Sequence, residues 1–260
     1  FPTRRSSDLK GLALISTTIV ALVAFIFIEK KISEPMLDLK LFANKVFVGG
    51  LASNFLYFVA QMIMVFLAPV LLTAATYPPE VIGFTVIAFP AAMMLFAPVG
   101  GHLSDRVNPN LVSALGGTFA ALAVLLISTL SPTSFSYKDL LWRMLIFGVG
   151  GGFFETSNSV VILSNAPEHR RGIASGILAM VRYTGMVFGV AISSTLSGLG
   201  SEYYRQAVIS TSNGFRDIAT IKGIKDVHML ALVFVTSSVL IALIGALYAN
   251  RKNRQLKKTA

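Results

Sequence analysis

The chain has 260 residues, of which 54% are hydrophobic and 13% charged, against about 25% charged in an ordinary soluble domain, and this excludes a water-soluble globular fold. Its 22 Lys and Arg against 12 Asp and Glu leave a formal net charge of +10, but long apolar runs break the basic residues into no continuous cationic face, so nucleic acid is excluded as a partner. Cysteine is absent and the three histidines are scattered, so disulfides, thiol nucleophiles, a metal centre and other cofactors are not expected.

Residues 1–9, Phe1-Pro2-Thr3-Arg4-Arg5-Ser6-Ser7-Asp8-Leu9, fit neither a helix nor a strand period. They are similar to the translated end of a sequencing-library adapter and are set aside as a non-native segment, on which reading the true protein extends further upstream; the alternative is a genuine basic tail ahead of a membrane helix. After them, seven stretches come close to the roughly 20 apolar residues that span about 30 Å of hydrocarbon: 11–29, 47–73, 81–101, 110–130, 140–164, 173–198 and 229–249. The expected fold class is therefore all-α, a polytopic membrane protein of about seven helices.

Lys and Arg in the connections set the orientation, because positive loops stay cytoplasmic. One alternating set of connections carries Lys30, Lys31, Lys40, Lys45, Arg106, Arg170, Arg171, Arg251, Lys252, Arg254, Lys257 and Lys258; the other carries Lys138, Arg143, Arg205, Arg216, Lys222 and Lys225, with Lys10 added if it is native. The C-terminus is thus expected in the cytoplasm, with 251–260 as a basic tail. On the outer side, 199–228 reads as one long connection with a turn at Asn213-Gly214. Arg143, beside Trp142, reads as an interfacial anchor.

Along the spans, Asn54, Tyr57 and Gln61 recur at a spacing that places them on one helix face, where Asn and Gln also suit hydrogen bonds between helices. Pro69, Pro90 and Pro98 mark kinks. The connection after the third span reads Gly101-His102-Leu103-Ser104-Asp105-Arg106, then Val107-Asn108-Pro109-Asn110. Two readings stand for Asp105. It pins two helices through the positive N-terminal end of the next one, or Asp105 or Asn110 simply caps that helix; Asn108 supplies the left-handed turn residue.

Glu155 and Arg182 are the ionisable residues deep inside the spans, at roughly 14 and 15 Å from the cytoplasmic ends of their helices at about 1.5 Å per residue. A lone charge at that depth costs about 2.5–3.5 kcal/mol on insertion scales, so pairing or a wet cavity is expected. Glu155 then serves as a protonation or cation-contact group with Arg182 as its partner; on the other reading, Arg182 reaches for the headgroups and Glu155 lines a vestibule. Glycines four apart, Gly148 and Gly152, Gly172 and Gly176, Gly185 and Gly189, have the spacing of close helix packing. The run Gly148-Val149-Gly150-Gly151-Gly152 lacks the strand and the Lys-Ser or Lys-Thr of a phosphate loop, and no Ser-His-Asp, HExxH or paired-carboxylate set points to an enzyme.

Three segments carry a family resemblance: Glu34-Pro35-Met36-Leu37-Asp38-Leu39-Lys40-Leu41-Phe42-Ala43-Asn44-Lys45-Val46-Phe47; Gly101 to Arg106; and Pro167-Glu168-His169-Arg170-Arg171-Gly172-Ile173-Ala174-Ser175-Gly176, with Arg182-Tyr183-Thr184-Gly185 and Gly189-Val190-Ala191-Ile192 beyond it. Together they resemble the carboxyl-terminal half of the fourteen-helix drug:proton antiporters of the major facilitator superfamily. The second segment departs from the superfamily loop motif, which usually continues with Gly and basic residues. The resemblance implies a linker transmembrane helix and cytoplasmic loop at 10–46 and a six-helix transporter domain at 47–250. It also implies alternating access between two halves in the cell membrane, export of hydrophobic or cationic compounds against inward protons, and an amino-terminal half missing here. Asn54, Tyr57 and Gln61 become substrate contacts, and Gly101, Asp105 and Arg106 a conformational-switch loop. The alternatives are a metabolite or peptide permease on the same scaffold and a non-transporting membrane subunit.

Overall fold

The structure, a computed structural model of the chain, describes residues 39–130, 136–208 and 215–259, together with positions 16, 17, 20, 23, 24 and 27. It divides into two compact units, Phe1–Lys40 and Leu41–Ala260. In the first unit, the six described positions between 16 and 27 are all helical and exposed. The rest of the 11–29 span, residues 1–9 and the Glu34–Asp38 stretch lie outside the described residues.

The described residues of the second unit form helices joined by short turns. After a 3-10 turn at Leu39–Ala43 come α1 (Lys45–Ala74), α2 (Pro79–Arg106), α3 (Pro109–Ser128), α4 (Tyr137–Ser164), α5 (Arg171–Val208) and α6 (Phe215–Thr259). All six are long and apolar enough to cross a membrane, and a helix is one of the few ways a chain satisfies its backbone within lipid. Local chemistry fixes their ends. Asn44 caps α1 by accepting from Val46 N and Phe47 N, and Ser136 forms a reciprocal capping box with Asp139 at the start of α4. Pro79 and Pro109 occupy first-turn positions of α2 and α3, where a missing N–H costs nothing. Between α1 and α2 the chain turns through Thr76, held at φ 61°, a conformation that a β-branched residue rarely adopts.

Two expectations about connections are corrected. The stretch 199–228 is not a long loop: α5 continues to Val208 and α6 starts at Phe215, so helix occupies most of it, and Asn213-Gly214 lies outside the described residues. Asn108 is not left-handed. It sits at φ −56°, ψ 116° with its side chain accepting from Asn110 N, because a residue before proline is held to extended backbone; Asn108, rather than Asp105 or Asn110, therefore caps α3.

Helix α4 lies between α2 and α3, α1 lies against α5 and α6, and the two sets join where α3 meets α6 and α1 crosses α4. The core between them is built from Tyr57, Phe58, Ile63 and Leu67 of α1, Val124 and Ile127 of α3, Phe147 and Phe154 of α4, and Val227 and Val235 of α6. Helices α2 and α5 stand at opposite ends of this arrangement and scarcely touch. Both turn large apolar side chains outward, Phe84, Met94 and Leu95 from α2 and Met180, Tyr183 and Phe188 from α5.

Candidate functional site

Glu155 and Arg182 meet. The Arg182 Nη1 to Glu155 Oε1 distance is 3.5 Å, with the side chains 29% and 15% exposed respectively. The helices carrying them, α4 and α5, are not closely packed neighbours, contrary to what their short connection suggests; α1 packs on both, and the two long side chains close the remaining distance. Phe58 of α1 supplies the platform, with the Arg182 guanidinium 4.8 Å from its ring centroid. Arg182 Nε is buried and finds no hydrogen-bond partner. The guanidinium is thus held by one carboxylate and one ring face, a set of contacts that a proton on Glu155 or a competing cation would weaken at once.

Asn54, Tyr57 and Gln61 share a face of α1, and the structure buries all three; in this arrangement they do not open onto space around the bundle. Tyr57 is stacked on Phe154 with ring centroids 3.9 Å apart and lies parallel to Phe147 at 6.4 Å. Its hydroxyl is 3.2 Å from where a Cβ on Gly151 would stand. Both polar atoms of the Asn54 amide, the Tyr57 hydroxyl and Gln61 Oε1 are buried without a hydrogen-bond partner. Such orphans are rare in folded interiors, and here they run along the same helix as Phe58, which carries the guanidinium.

The connection motif sits at the end of α2. Ser104 is buried and donates to Gly100 O and to Ser157 Oγ of α4. Gly101 has nothing near a notional Cβ. Asp105 and Arg106 are exposed, and among the described residues neither forms an ion pair. At the next connection on the same side, Arg171 pairs with Glu168 at 3.4 Å in the open.

The glycines divide. A Cβ on Gly148 would run into Phe89 O and stand 2.7 Å from Ala92 Cβ; on Gly152 it would meet Ala97 N at 2.8 Å, and on Gly185 and Gly189 it would meet Phe55 O at 2.8 Å and Val59 O at 2.6 Å. These four let α4 lie on α2 and α5 lie on α1. Gly172 and Gly176 correct the packing expectation, since a Cβ on either meets nothing within 4 Å. They lie in the first turns of α5, beyond the stretch seated on α1.

Other contacts carried weaker sequence signals. Ser53 of α1 and Ser238 of α6 exchange hydrogen bonds, each hydroxyl donating to the other's carbonyl at 3.0 and 2.9 Å. Asn158 Nδ2 of α4 donates to Gly50 O of α1 at 3.2 Å. The signal was the occurrence of small polar residues inside apolar spans, which favours hydrogen bonds between helices without saying which helices. Phe58 gave no signal beyond its place beside Tyr57.

A family model described as Major Facilitator Superfamily matches residues 11–190 and 49–258. The uncharacterized transporter YebQ of Escherichia coli (strain K12) is 32% identical over 188 residues, 70% of this chain and 41% of YebQ. The riboflavin transporter RibZ of Clostridioides difficile (strain 630) is 29% identical over 208 residues, 78% of this chain and 45% of RibZ. The quinolone resistance protein NorB of Staphylococcus aureus (strain MSSA476) is 29% identical over 203 residues, 75% of this chain and 42% of NorB. The chain spans less than half the length of these curated relatives.

Proposed function

The chain belongs to the Major Facilitator Superfamily, and from that premise we propose that it forms the carboxyl-terminal half, with a preceding linker helix, of a proton-coupled multidrug exporter. It moves hydrophobic or cationic compounds outward by alternating access. The observation that carries this reading is the Glu155–Arg182 pair, 3.5 Å apart and at mid-depth in a bundle of predominantly apolar spans. Intramembrane charges of this kind mark solute and ion pathways. Protonation of Glu155 removes the charge that holds Arg182, and a cationic solute competes for the same carboxylate, so proton and drug occupy the site in turn. Asn54, Tyr57 and Gln61 flank it as polar groups exposed when the helices shift. Gly101, Asp105 and Arg106 act as the loop that holds one state.

The outward apolar faces of α2 and α5 support a second half as the partner, because such patches mark interaction surfaces, and rocking of two halves is the motion of this transporter class. The name of NorB supports the drug-export reading and antibiotic resistance as its consequence. The excess of Lys and Arg in one set of connections supports a multi-pass protein of the cell membrane with its C-terminus in the cytoplasm.

The test is ethidium efflux driven by a proton gradient in vesicles. Vesicles with these 260 residues alone are expected to show none; vesicles with the upstream reading frame restored are expected to show efflux that Glu155→Gln abolishes. Efflux from the lone chain defeats the half-transporter reading, and undiminished efflux in the variant defeats the role of Glu155. RibZ favours a metabolite permease as a second reading; flux of riboflavin but not ethidium through the restored protein would select it.

A further inference from the structure

A cavity of about 160 Å³ opens between α1, α3, α4 and α6, away from the Glu155 site. It lies where α1 and α3 begin and the apolar part of α6 ends, hence at the headgroup level of one leaflet. Gly49, Gly50 and Gly245 leave the room; a Cβ on Gly245 would stand 2.8 Å from Asn110 Oδ1. Two buried amides, Asn110 and Asn158, stand in a lining that is otherwise largely apolar. Asn158 donates its amide to Gly50 O and Asn110 donates its own to Asn108 Oδ1; among the described residues, neither side-chain oxygen accepts a hydrogen bond.

The mouth has a different character. Ile244 is 65% and Tyr248 48% exposed, and beyond them the flank of α6 presents Val233, Leu240 and Leu247 outward, a surface that meets acyl chains in a bilayer. Lys45 is exposed at the rim and is the one charged residue among those lining the cavity. The first turns of α1 and α3 add the positive ends of two helix dipoles. In sequence, α6 continues into Arg251, Lys252 and Arg254.

We propose that this cavity seats the headgroup of an anionic phospholipid. Lys45 takes the phosphodiester, Asn110 and Asn158 accept from headgroup hydroxyls, and the acyl chains run down the Ile244 side of α6. The exposed Ile244 and Tyr248 at its edge, continuous with the apolar flank of α6, favour a ligand that carries acyl chains over a free anion. Basic pockets between transmembrane helices are suited to such headgroups.

The experiment is native mass spectrometry of the full chain, delipidated in detergent and titrated with phosphatidylglycerol, phosphatidylcholine or inorganic phosphate. One phosphatidylglycerol is expected to be retained, about five-fold tighter than phosphatidylcholine; Lys45→Gln removes that preference, whereas Lys45→Arg keeps it, a single basic residue near the surface contributing about this much. Ile244→Trp, on an exposed position that leaves folding unaffected, narrows the mouth and lowers retention of phosphatidylglycerol. Equal retention of the two lipids, unchanged preference in Lys45→Gln, or displacement of phosphatidylglycerol by inorganic phosphate each overturns the proposal.

Discussion

Helices α4 and α5 both carry glycines four residues apart and both contribute one charge to the partly buried pair, yet their glycine seams are filled differently. Helix α4 is seated on two sides: Gly148 and Gly152 against α2, and Gly150 against α3, where a Cβ would stand 2.6 Å from Ala120 N. Helix α5 packs on α1 along Gly185 and Gly189 and lies against α6 as well, while Gly172 and Gly176 face open space and Met180, Tyr183 and Phe188 point outward. A glycine spacing is thus permission for backbones to approach, and whether a neighbour uses it depends on which helix stands there. On the two-half reading proposed above, this contrast would make α4 a strut and leave the exposed side of α5 for a partner.

The sharpest way to break the contrast is to overfill the seam of α4. Gly150→Leu drives a side chain into the backbone of α3, which has no rotamer to yield, and a loss of about 3 kcal/mol or more is expected; reversible unfolding of the purified chain in mixed micelles by titrated denaturing detergent reads it. A loss below about 1 kcal/mol would mean that α3 and α4 are not seated as described.

The link between the two helices comes next. Arg182→Met leaves Glu155 without its partner in a largely covered site, and a cost of about 1–3 kcal/mol in the same assay is expected, below that of a fully buried pair because both groups keep some exposure. Adding Glu155→Gln to Arg182→Met should recover most of that cost. If the double variant is no more stable than the single one, the pair is not coupled.

The smallest effect is expected on the free side of α5. Gly176→Ala meets nothing within 4 Å and exchanges a poor helix former for the best one, so stability should stay level or rise by up to about 1 kcal/mol. A marked loss would place a packing partner on this face within the chain itself.

Much of this was legible in the residues. Six of the seven apolar stretches correspond to described helices whose ends differ from expectation by a few residues at α1 to α4, where Asn44, Pro79, Pro109 and Ser136 give local capping chemistry. The ends of α5 and α6 were not legible, because 199–208 and 215–228 are polar enough to read as loop while still compatible with helix, and hydropathy measures lipid preference rather than helix length. The ion pair followed from two charges at equal depth, since helix rise converts residue count into distance. Its route did not: the short connection between α4 and α5 suggests that they pack closely on one another, whereas α1 packs on both and carries Phe58.

What the sequence determined by itself is therefore a set of membrane-spanning helices, with charges that must find one another because lipid gives them no solvent. What only the tertiary structure decided is which faces are shared: Tyr57 sealed by Phe154, Ser53 answered by Ser238, Gly150 closed and Gly176 open. Periodicity constrains each helix about its own axis, but contact depends on where a second helix crosses it, and residues far apart in the chain settle that together.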